Sequence, residues 1–389
     1  MPYDATSPTP APEQAIGKAV IKIVGVGGGG VNAVRRIDVK DVPGIEIIAI
    51  NTDAVSLDTV KNMKTIHIGP QTTRGLGAGG KPEIGRRAAE ETKEAIRKEL
   101  TGADLVFVVA GMGGGTGTGA APMVAQLARE CGALAVSIVT TPFGFEGTRR
   151  KTIAQMGLDP LKMASDTVIV VSNDRIMGSI KKNTTIMNSF AIADDVVKDA
   201  IMAVSRIINV AGDINVDFAD IKTVVSGGGM GVMSIERAEG TQRVMKAAKL
   251  AIENPLMDAS SHGAKGIIFC VNGPPDLSMA ELNETGTFIS SIADPQANIF
   301  FGMHIDESRP KDDDHVEVVI IATHLPQAED ESKPRMTVTD RVKLATARYY
   351  SEEDLPSFLR LPGQQPSSAP SAQNGESKHK YQRIDDIFR

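Results

Sequence analysis

An apolar run, Leu105-Val106-Phe107-Val108-Val109-Ala110, passes directly into Gly111-Met112-Gly113-Gly114-Gly115-Thr116-Gly117-Thr118-Gly119 and then into helix-like sequence from Ala120. A buried strand that empties into a glycine turn and then a helix builds an anion-binding corner. Glycine lets the backbone reach positive φ and leaves its N–H groups open to a close ligand. The helix N-terminus adds unpaired donors and partial positive charge, and the two threonines add hydroxyls. The segment is expected to cradle phosphate, in an uncommon way. A Walker loop requires G-x-x-x-x-G-K-[ST], and neither Gly-Lys-Ser nor Gly-Lys-Thr occurs in the chain.

Around this corner the chain alternates strand and helix. Strands are expected at 19–24, 45–50, 65–68, 104–110, 134–139 and 167–171, with a helix beginning near Asn32 and a charged one over 83–100. Strands separated by helices predict a parallel sheet covered on both faces. From Asn188 to Val210, Phe190, Val196, Val197, Ile201, Val204, Ile207 and Ile208 recur at helical spacing over about six turns, and Gly212 is a plausible stop. A helix of this length reads as a connector to a second, smaller α/β unit with strands at 267–271, 297–301 and 316–322. The expected organisation is therefore a disordered arm over 1–18, a nucleotide domain over 19–187, a central helix over 188–212, a smaller domain over 213–325 and a polar tail over 326–389.

Composition excludes several classes. The 389 residues carry a net charge of −6, which argues against a broad nucleic-acid surface. Two cysteines, Cys131 and Cys270, lie in apolar surroundings, as expected of a reducing compartment rather than a disulfide framework or zinc site. The histidines are scattered, so no metal-binding residues are expected. No apolar stretch reaches the roughly 18 residues of a spanning helix, and the Pro/Ser/Ala-rich start lacks the pattern of a signal peptide. A cytoplasmic location follows as the expectation.

Other motifs gather near the corner. Gly25-Val26-Gly27-Gly28-Gly29-Gly30 satisfies G-x-G-x-x-G, and Asp53 stands where a dinucleotide fold puts its ribose acid. That pair alone suggests a nicotinamide enzyme. Against it, the run holds more glycine than such a turn needs, and a second phosphate loop follows. Two glycine loops at one sheet edge suggest one nucleotide gripped from both sides. Thr73-Arg74-Gly75-Leu76-Gly77-Ala78-Gly79-Gly80 reads equally as a mobile surface loop or as ligand contact. Glu146 and an arginine of the 143–150 loop are candidates for ribose and base or phosphate, or are solvated charges. Asn173-Asp174 follows a strand and supplies a helix cap at one position. Asp217 and Asp220, three apart in Asn215-Val216-Asp217-Phe218-Ala219-Asp220, either cap the next helix or polarise a nucleophile. A helix of about 23 residues is roughly 34 Å long, which separates these acids from the glycine loops within one chain.

Taken in order, GMGGGTGTG (111–119), NTD (51–53), TRGLGAG (73–79), FEG (145–147), ND (173–174) and NVDFAD (215–220) resemble the signatures of bacterial FtsZ, in the tubulin/FtsZ family of GTPases, over about residues 19–325. The resemblance implies a tubulin-like α/β fold and a polymerising GTPase that uses GTP/GDP and Mg²⁺. It implies that Gly28, Gly29, Gly30 and Asn32, with Gly115, Thr116 and Gly117, hold the phosphates, joined by Ala78 and Gly79. It places Glu146 and Arg150 at the ribose and base side, and Asn173, Phe190 and Asp194 around the guanine. Asp194 is chemically apt, since a carboxylate can accept both guanine N1–H and N2–H. It further implies that Asp217 and Asp220, assisted by Asn215, position water at the nucleotide of a neighbouring subunit, which removes the distance problem.

Three positions depart from the usual pattern. Val31 replaces a common glycine, Asp213 occupies a usually apolar position, and Ser226–Gly231 is unusually rich in glycine. They raise the question of how strongly the chain assembles. Residues 352–360 resemble the peptide through which FtsZ proteins meet membrane anchors and division regulators, so any membrane contact would be indirect and localisation at midcell is implied. Residues 361–389 continue beyond that peptide and end in a small amphipathic stretch. The alternatives are a filament protein of the same family with a partitioning or shape role, or a nicotinamide-linked oxidoreductase.

Overall fold

The computed structural model describes residues 18–326 except 41, 61–62, 180–183, 211, 255–260 and 307–312. The expected arm and tail, with the 352–360 peptide, lie outside the described residues.

Ten strands are present among them: β1 Ile21–Val26, β2 Ile45–Asn51, β3 Lys64–His67, β4 Leu105–Gly111, β5 Leu134–Thr141, β6 Thr167–Ser172, β7 Gly229–Ala238, β8 Gly266–Gly273, β9 Asn298–Ile305 and β10 Val316–Thr323. Their order across the sheet is β3-β2-β1-β4-β5-β6-β7-β10-β8-β9. From β3 to β6 all pairing is parallel. β10 then pairs antiparallel with both β7 and β8, and β8 pairs parallel with β9. The expected doubly covered parallel sheet and smaller α/β unit are both present.

The strand pleat distributes side chains between two cores, because successive residues face opposite sides. Leu105, Phe107 and Val109 enter one core with Val197, Ile201 and Val204 of the long helix. Val106, Val108 and Ala110 enter the other with Ala121, Val124 and Leu158. With both faces covered, β1, β4 and β6 are almost continuously apolar and buried. A third core fills the β7–β10 unit.

The long helix spans Ile186–Asn209, 24 residues, with Thr185 capping its start through the Asn188 N–H. It stops before Gly212. Asn209 ends it instead: its amide oxygen accepts the Ala19 N–H at 3.1 Å, and its nitrogen donates to the carbonyls of Ala19 and Pro43 at 3.0 and 2.8 Å. Ala19 and Pro43 precede β1 and β2, so the helix runs back to the edge where the parallel strands begin.

Three local readings change. The glycine run is not a loop before a helix at Asn32, because Gly27–Val34 is itself helical and starts directly after β1. The charged helix over 83–100 is two, Pro82–Glu91 and Lys93–Leu100, broken at Thr92, whose hydroxyl accepts the Gly69 N–H at 2.9 Å. The glycines at 228–231 belong to the join between β6 and β7. A Cβ on Gly228 would lie 2.5 Å from the Thr167 hydroxyl and one on Gly231 2.7 Å from its methyl, just where Thr167 and Ile169 pair with Gly229 and Gly231.

Candidate nucleotide site

The two glycine turns meet because β1 and β4 are neighbours in register, Val26 opposite Ala110. Gly27 has φ +71°, and a Cβ there would lie 2.7 Å from the Gly117 nitrogen. Gly28 and Gly29 are exposed at the mouth of this corner, and nothing lies within 4 Å of the Cβ position on Gly28. Asn32, one turn on, is also exposed. Gly30 is different. It is buried, and a side chain would strike the Val109 carbonyl, so packing against β4 demands glycine there whatever else its N–H does.

The helix Thr116–Glu130 starts inside the second turn, with Gly115 at the N-cap position and no side chain capping it. Its first N–H groups are therefore available to an anion. Gly115 sits against Ala78, where an added Cβ would come within 2.8 Å of the Ala78 methyl. This brings the 73–80 segment to the corner, with Ala78 buried and Gly79 exposed. The segment is fastened rather than loose. The Gly77 N–H and the Thr73 hydroxyl both donate to the Thr52 carbonyl at 3.3 Å, and the Ala54 N–H donates to Gly75 at 3.2 Å. Asp53, the candidate ribose acid of the nicotinamide reading, caps the helix Ala54–Asp58 through the Ser56 N–H.

Beside the corner, after β5 and β6, lies an aromatic shelf. Phe143 and Phe145 stack at 5.2 Å, and Phe190 meets Phe143 edge-on at 5.0 Å. Phe145 and Phe190 remain 64% and 38% exposed, large apolar rings left open at one place. Glu146 accepts the Phe143 N–H at 3.0 Å and pairs with Arg150, which fixes both side chains while leaving the carboxylate further acceptor capacity. Asn173 opens the helix Asn173–Ser179 and is buried, yet its side-chain oxygen has no hydrogen-bond partner. A buried acceptor without a donor is costly. Asp174 beside it is engaged by Lys151 at 2.6 Å and by the Gly144 N–H, and the Lys151 ammonium holds its carboxyl below the usual range. Asp194, one turn beyond Phe190, is half-buried. Burial pushes its carboxyl up to about 6, with Arg36 opposing the shift and Asp195 adding to it.

Asn215, Asp217 and Asp220 are not brought to this corner. Asn215 accepts the Gly212 N–H at 2.6 Å, and Asp217 takes the N-cap position of the helix Phe218–Val225. Asp220 accepts the Asp217 N–H at 3.3 Å. That helix ends where the Thr167 hydroxyl, at the start of β6, donates to the Val225 carbonyl at 2.7 Å. The acids thus follow the strand-start edge, and the glycine corner the strand-end edge. A six-residue strand separates the edges by about 20 Å. Within one chain the two sets do not meet.

Comparison with known proteins bears on the family. Residues 20–181 match the tubulin/FtsZ family GTPase domain, and residues 229–326 match the FtsZ family C-terminal domain. An empty FtsZ dimer from M. jannaschii is 38% identical, with a TM-score of 0.73, covering 82% of this chain and 96% of that one. A mutant form of M. jannaschii FtsZ is 40% identical at the same TM-score, covering 79% and 92%. The chain belongs to the tubulin/FtsZ family. CetZ2 of Haloferax volcanii, in a GTPγS-bound protofilament, shares the fold at 19% identity and a TM-score of 0.69, covering 84% of this chain and 96% of that one.

The departures from the usual FtsZ-family pattern have local explanations. Val31 is buried with Ala49 and Leu57 in a small apolar cluster behind the first turn. The Asp213 carboxylate accepts the Ile305 N–H at 2.7 Å, so it finishes β9. Thr52 and Phe143 were not among the expected site residues. Thr52 is flagged by its place in the 51–53 motif after β2, and Phe143 only by the aromatic spacing Phe143-Gly144-Phe145. Although no metal-binding residues were expected, exposed Glu239, Asp314 and His315 approach within 4.8 Å of one another. His315 already pairs with Glu239 at 2.9 Å and Asp313 at 3.1 Å, an ion-pair arrangement. Cys270 is buried, its thiol pushed up to about 12 by burial. Among the described residues, no helix is long and apolar enough to cross a membrane.

Proposed function

We propose that this chain is a self-assembling GTPase that stacks head to tail, each bound GTP being hydrolysed between two copies. The observation that carries the reading is the division of the expected site between opposite sheet edges. Phosphate donors and an aromatic shelf lie at one, and exposed Asn215 and Asp217 with Asp220 lie at the other. A contact that joins unlike edges is heterologous and does not close, so it propagates as a filament.

In this reading Gly28, Gly29, Gly30, Asn32, Gly115, Thr116 and Gly117 receive the phosphates, with Ala78 and Gly79 at the γ end. Phe190 stacks on the guanine, the orphaned Asn173 oxygen accepts from it, and Asp194 takes its N1–H and N2–H. Glu146 and Arg150 bound the ribose. The corner offers N–H and hydroxyl donors, which suit phosphate oxygens, and Mg²⁺ would be held by those oxygens and water and supplies charge neutralisation. Asp217 and Asp220 of the neighbouring copy, with Asn215, orient a water for in-line attack on the γ-phosphorus. The water oxygen bonds to phosphorus, the bond to the β-phosphate oxygen breaks, and a proton is released. Such chemistry needs positioning and charge stabilisation, with no covalent intermediate.

The biological reading is a division filament, cytoplasmic and assembled at midcell, with residues 352–360 reaching membrane anchors and regulators. The division into domains over 19–187 and 213–325 about the helix belongs to the same proposal. Light scattering with GTP, GDP or NADH tests it. Scattering should rise with GTP and decay as phosphate is released. NADH binding without any response to GTP overturns it. So does full per-molecule hydrolysis by protein diluted below its assembly concentration.

A further inference from the structure

The hydroxyls of Thr52 and Thr116 lie 2.6 Å apart, both buried, although 64 positions separate them in the chain. Thr116 is the first residue of the helix that opens from the second glycine turn. Thr52 ends no helix and faces no solvent; it is fully buried after β2. Its carbonyl is equally placed, since it receives the Gly77 N–H and lies 3.3 Å from the Thr73 hydroxyl, which also reaches the Gly69 carbonyl at 3.0 Å. One residue therefore touches the phosphate turn with its side chain and the 73–80 segment with its backbone.

The polarity of the hydroxyl pair follows from counting partners. A hydroxyl has one proton and two acceptor sites, and a buried one needs its proton placed. Among the described residues the Thr52 hydroxyl meets only Thr116 Oγ1. Thr116 Oγ1 likewise meets only Thr52, and either could donate. But Thr52 is fully buried while Thr116 opens the corner. Once a phosphate oxygen is there to accept from Thr116, Thr52 donates and Thr116 accepts. The Thr116 proton is then left free to point into the corner, where a phosphate oxygen is its natural acceptor. A hydrogen bond to a charged group is worth more than a neutral one, and accepting from Thr52 makes Thr116 a stronger donor.

We infer that Thr52 is a positioning residue which orients the Thr116 hydroxyl as a phosphate donor and ties it to the 73–80 segment. The inference rests on the nucleotide reading of the corner. It goes beyond that reading in giving a role to a residue that is fully buried behind the corner.

The experiment compares binding of GTP, GDP and guanosine to full-length wild type, Thr52→Val, Thr52→Ser, Thr116→Val and the double variant Thr52→Val/Thr116→Val. Thr52→Val keeps the shape and removes the hydroxyl, whereas Thr52→Ser keeps the hydroxyl. The expected result is that Thr52→Val lowers the GTP-to-guanosine affinity ratio about tenfold, while guanosine binding itself and the Thr52→Ser ratio stay at wild-type values. In the Thr116→Val background the second substitution should change nothing further. An unchanged ratio in Thr52→Val overturns the inference, as does an equal loss for GTP and guanosine or independent effects of the two substitutions. Should Thr52→Val lack a cooperative thermal transition, Thr52→Ala carries the same expectation. If wild type itself does not prefer GTP to guanosine, the nucleotide reading fails before Thr52 is tested.

Discussion

The two edges of the parallel sheet are built on different principles. At the strand-end edge, the glycine turns, the 73–80 segment and the aromatic shelf are held by buried contacts and internal hydrogen bonds. The donors there are in place before any ligand arrives. At the strand-start edge the acids ride on an exposed turn, and their hydrogen bonds are spent on that turn's own shape. One edge holds preformed donors, and the other holds acids engaged with their own turn. Under the proposed function, that contrast makes activity a property of a pair.

The largest expected effect attacks that contrast directly. Asp220→Ala should reduce GTP hydrolysis at least 100-fold, in the range for loss of a positioned acid or base, while equilibrium GTP binding stays within about twofold, since that edge holds no nucleotide. Mixing it with Gly28→Val, disabled only at the mouth of the corner, should restore part of the activity measured by phosphate release. No recovery would mean the edges do not work across copies.

Next comes the glycine run, where two neighbouring residues should respond oppositely. Gly30→Ala forces a methyl into the Val109 carbonyl and should cost about 1–3 kcal/mol or more in denaturant unfolding. Gly28→Ala meets nothing. It should raise helix stability by up to about 1 kcal/mol and weaken nucleotide binding instead. Equal loss of stability in both would erase the distinction between a packing glycine and a ligand glycine.

A smaller effect concerns pH. In the free chain Asp194 titrates at about 6, raised mainly by burial. In the proposed site the base would need its ionised form as acceptor. Affinity for guanosine, which carries no phosphate, should be flat well above pH 6 when measured by calorimetry and fall by up to about tenfold per unit well below it, and Asp194→Asn should remove the dependence. The smallest change is expected for Asp213→Ala. It deprives the Ile305 N–H of its acceptor and should lower unfolding free energy by about 1 kcal/mol with nucleotide binding intact.

Much of the strand-end edge was legible in sequence because its constraints are local. Six apolar strands, the glycine turn at 111–119 and the long helix each announce themselves through periodicity or composition. What was illegible depends on partners distant in the chain. The glycine-rich 226–231 stretch shows no strand in sequence, yet Gly229-Met230-Gly231 opens β7 where Thr167 crowds the backbone. Thr92 splits one charged helix because Gly69 needs its hydroxyl. Thr52 stands in the 51–53 motif, yet only the fold sets its hydroxyl against Thr116. The separation of Asp217 and Asp220 from the corner was anticipated from an expected helix of about 23 residues, roughly 34 Å, and the observed helix has 24 residues.

The small antiparallel bridge between Ile214 and Met303 has a consequence for how copies can stick together. β9 is the last strand of the sheet, and Ile214 exchanges both main-chain hydrogen bonds with Met303, at 3.1 and 2.8 Å. A bare terminal strand invites another chain to add its backbone. Here the turn that leads to the acids occupies that seam through Ile214, so ribbon-to-ribbon growth along β9 is discouraged by the segment that carries them.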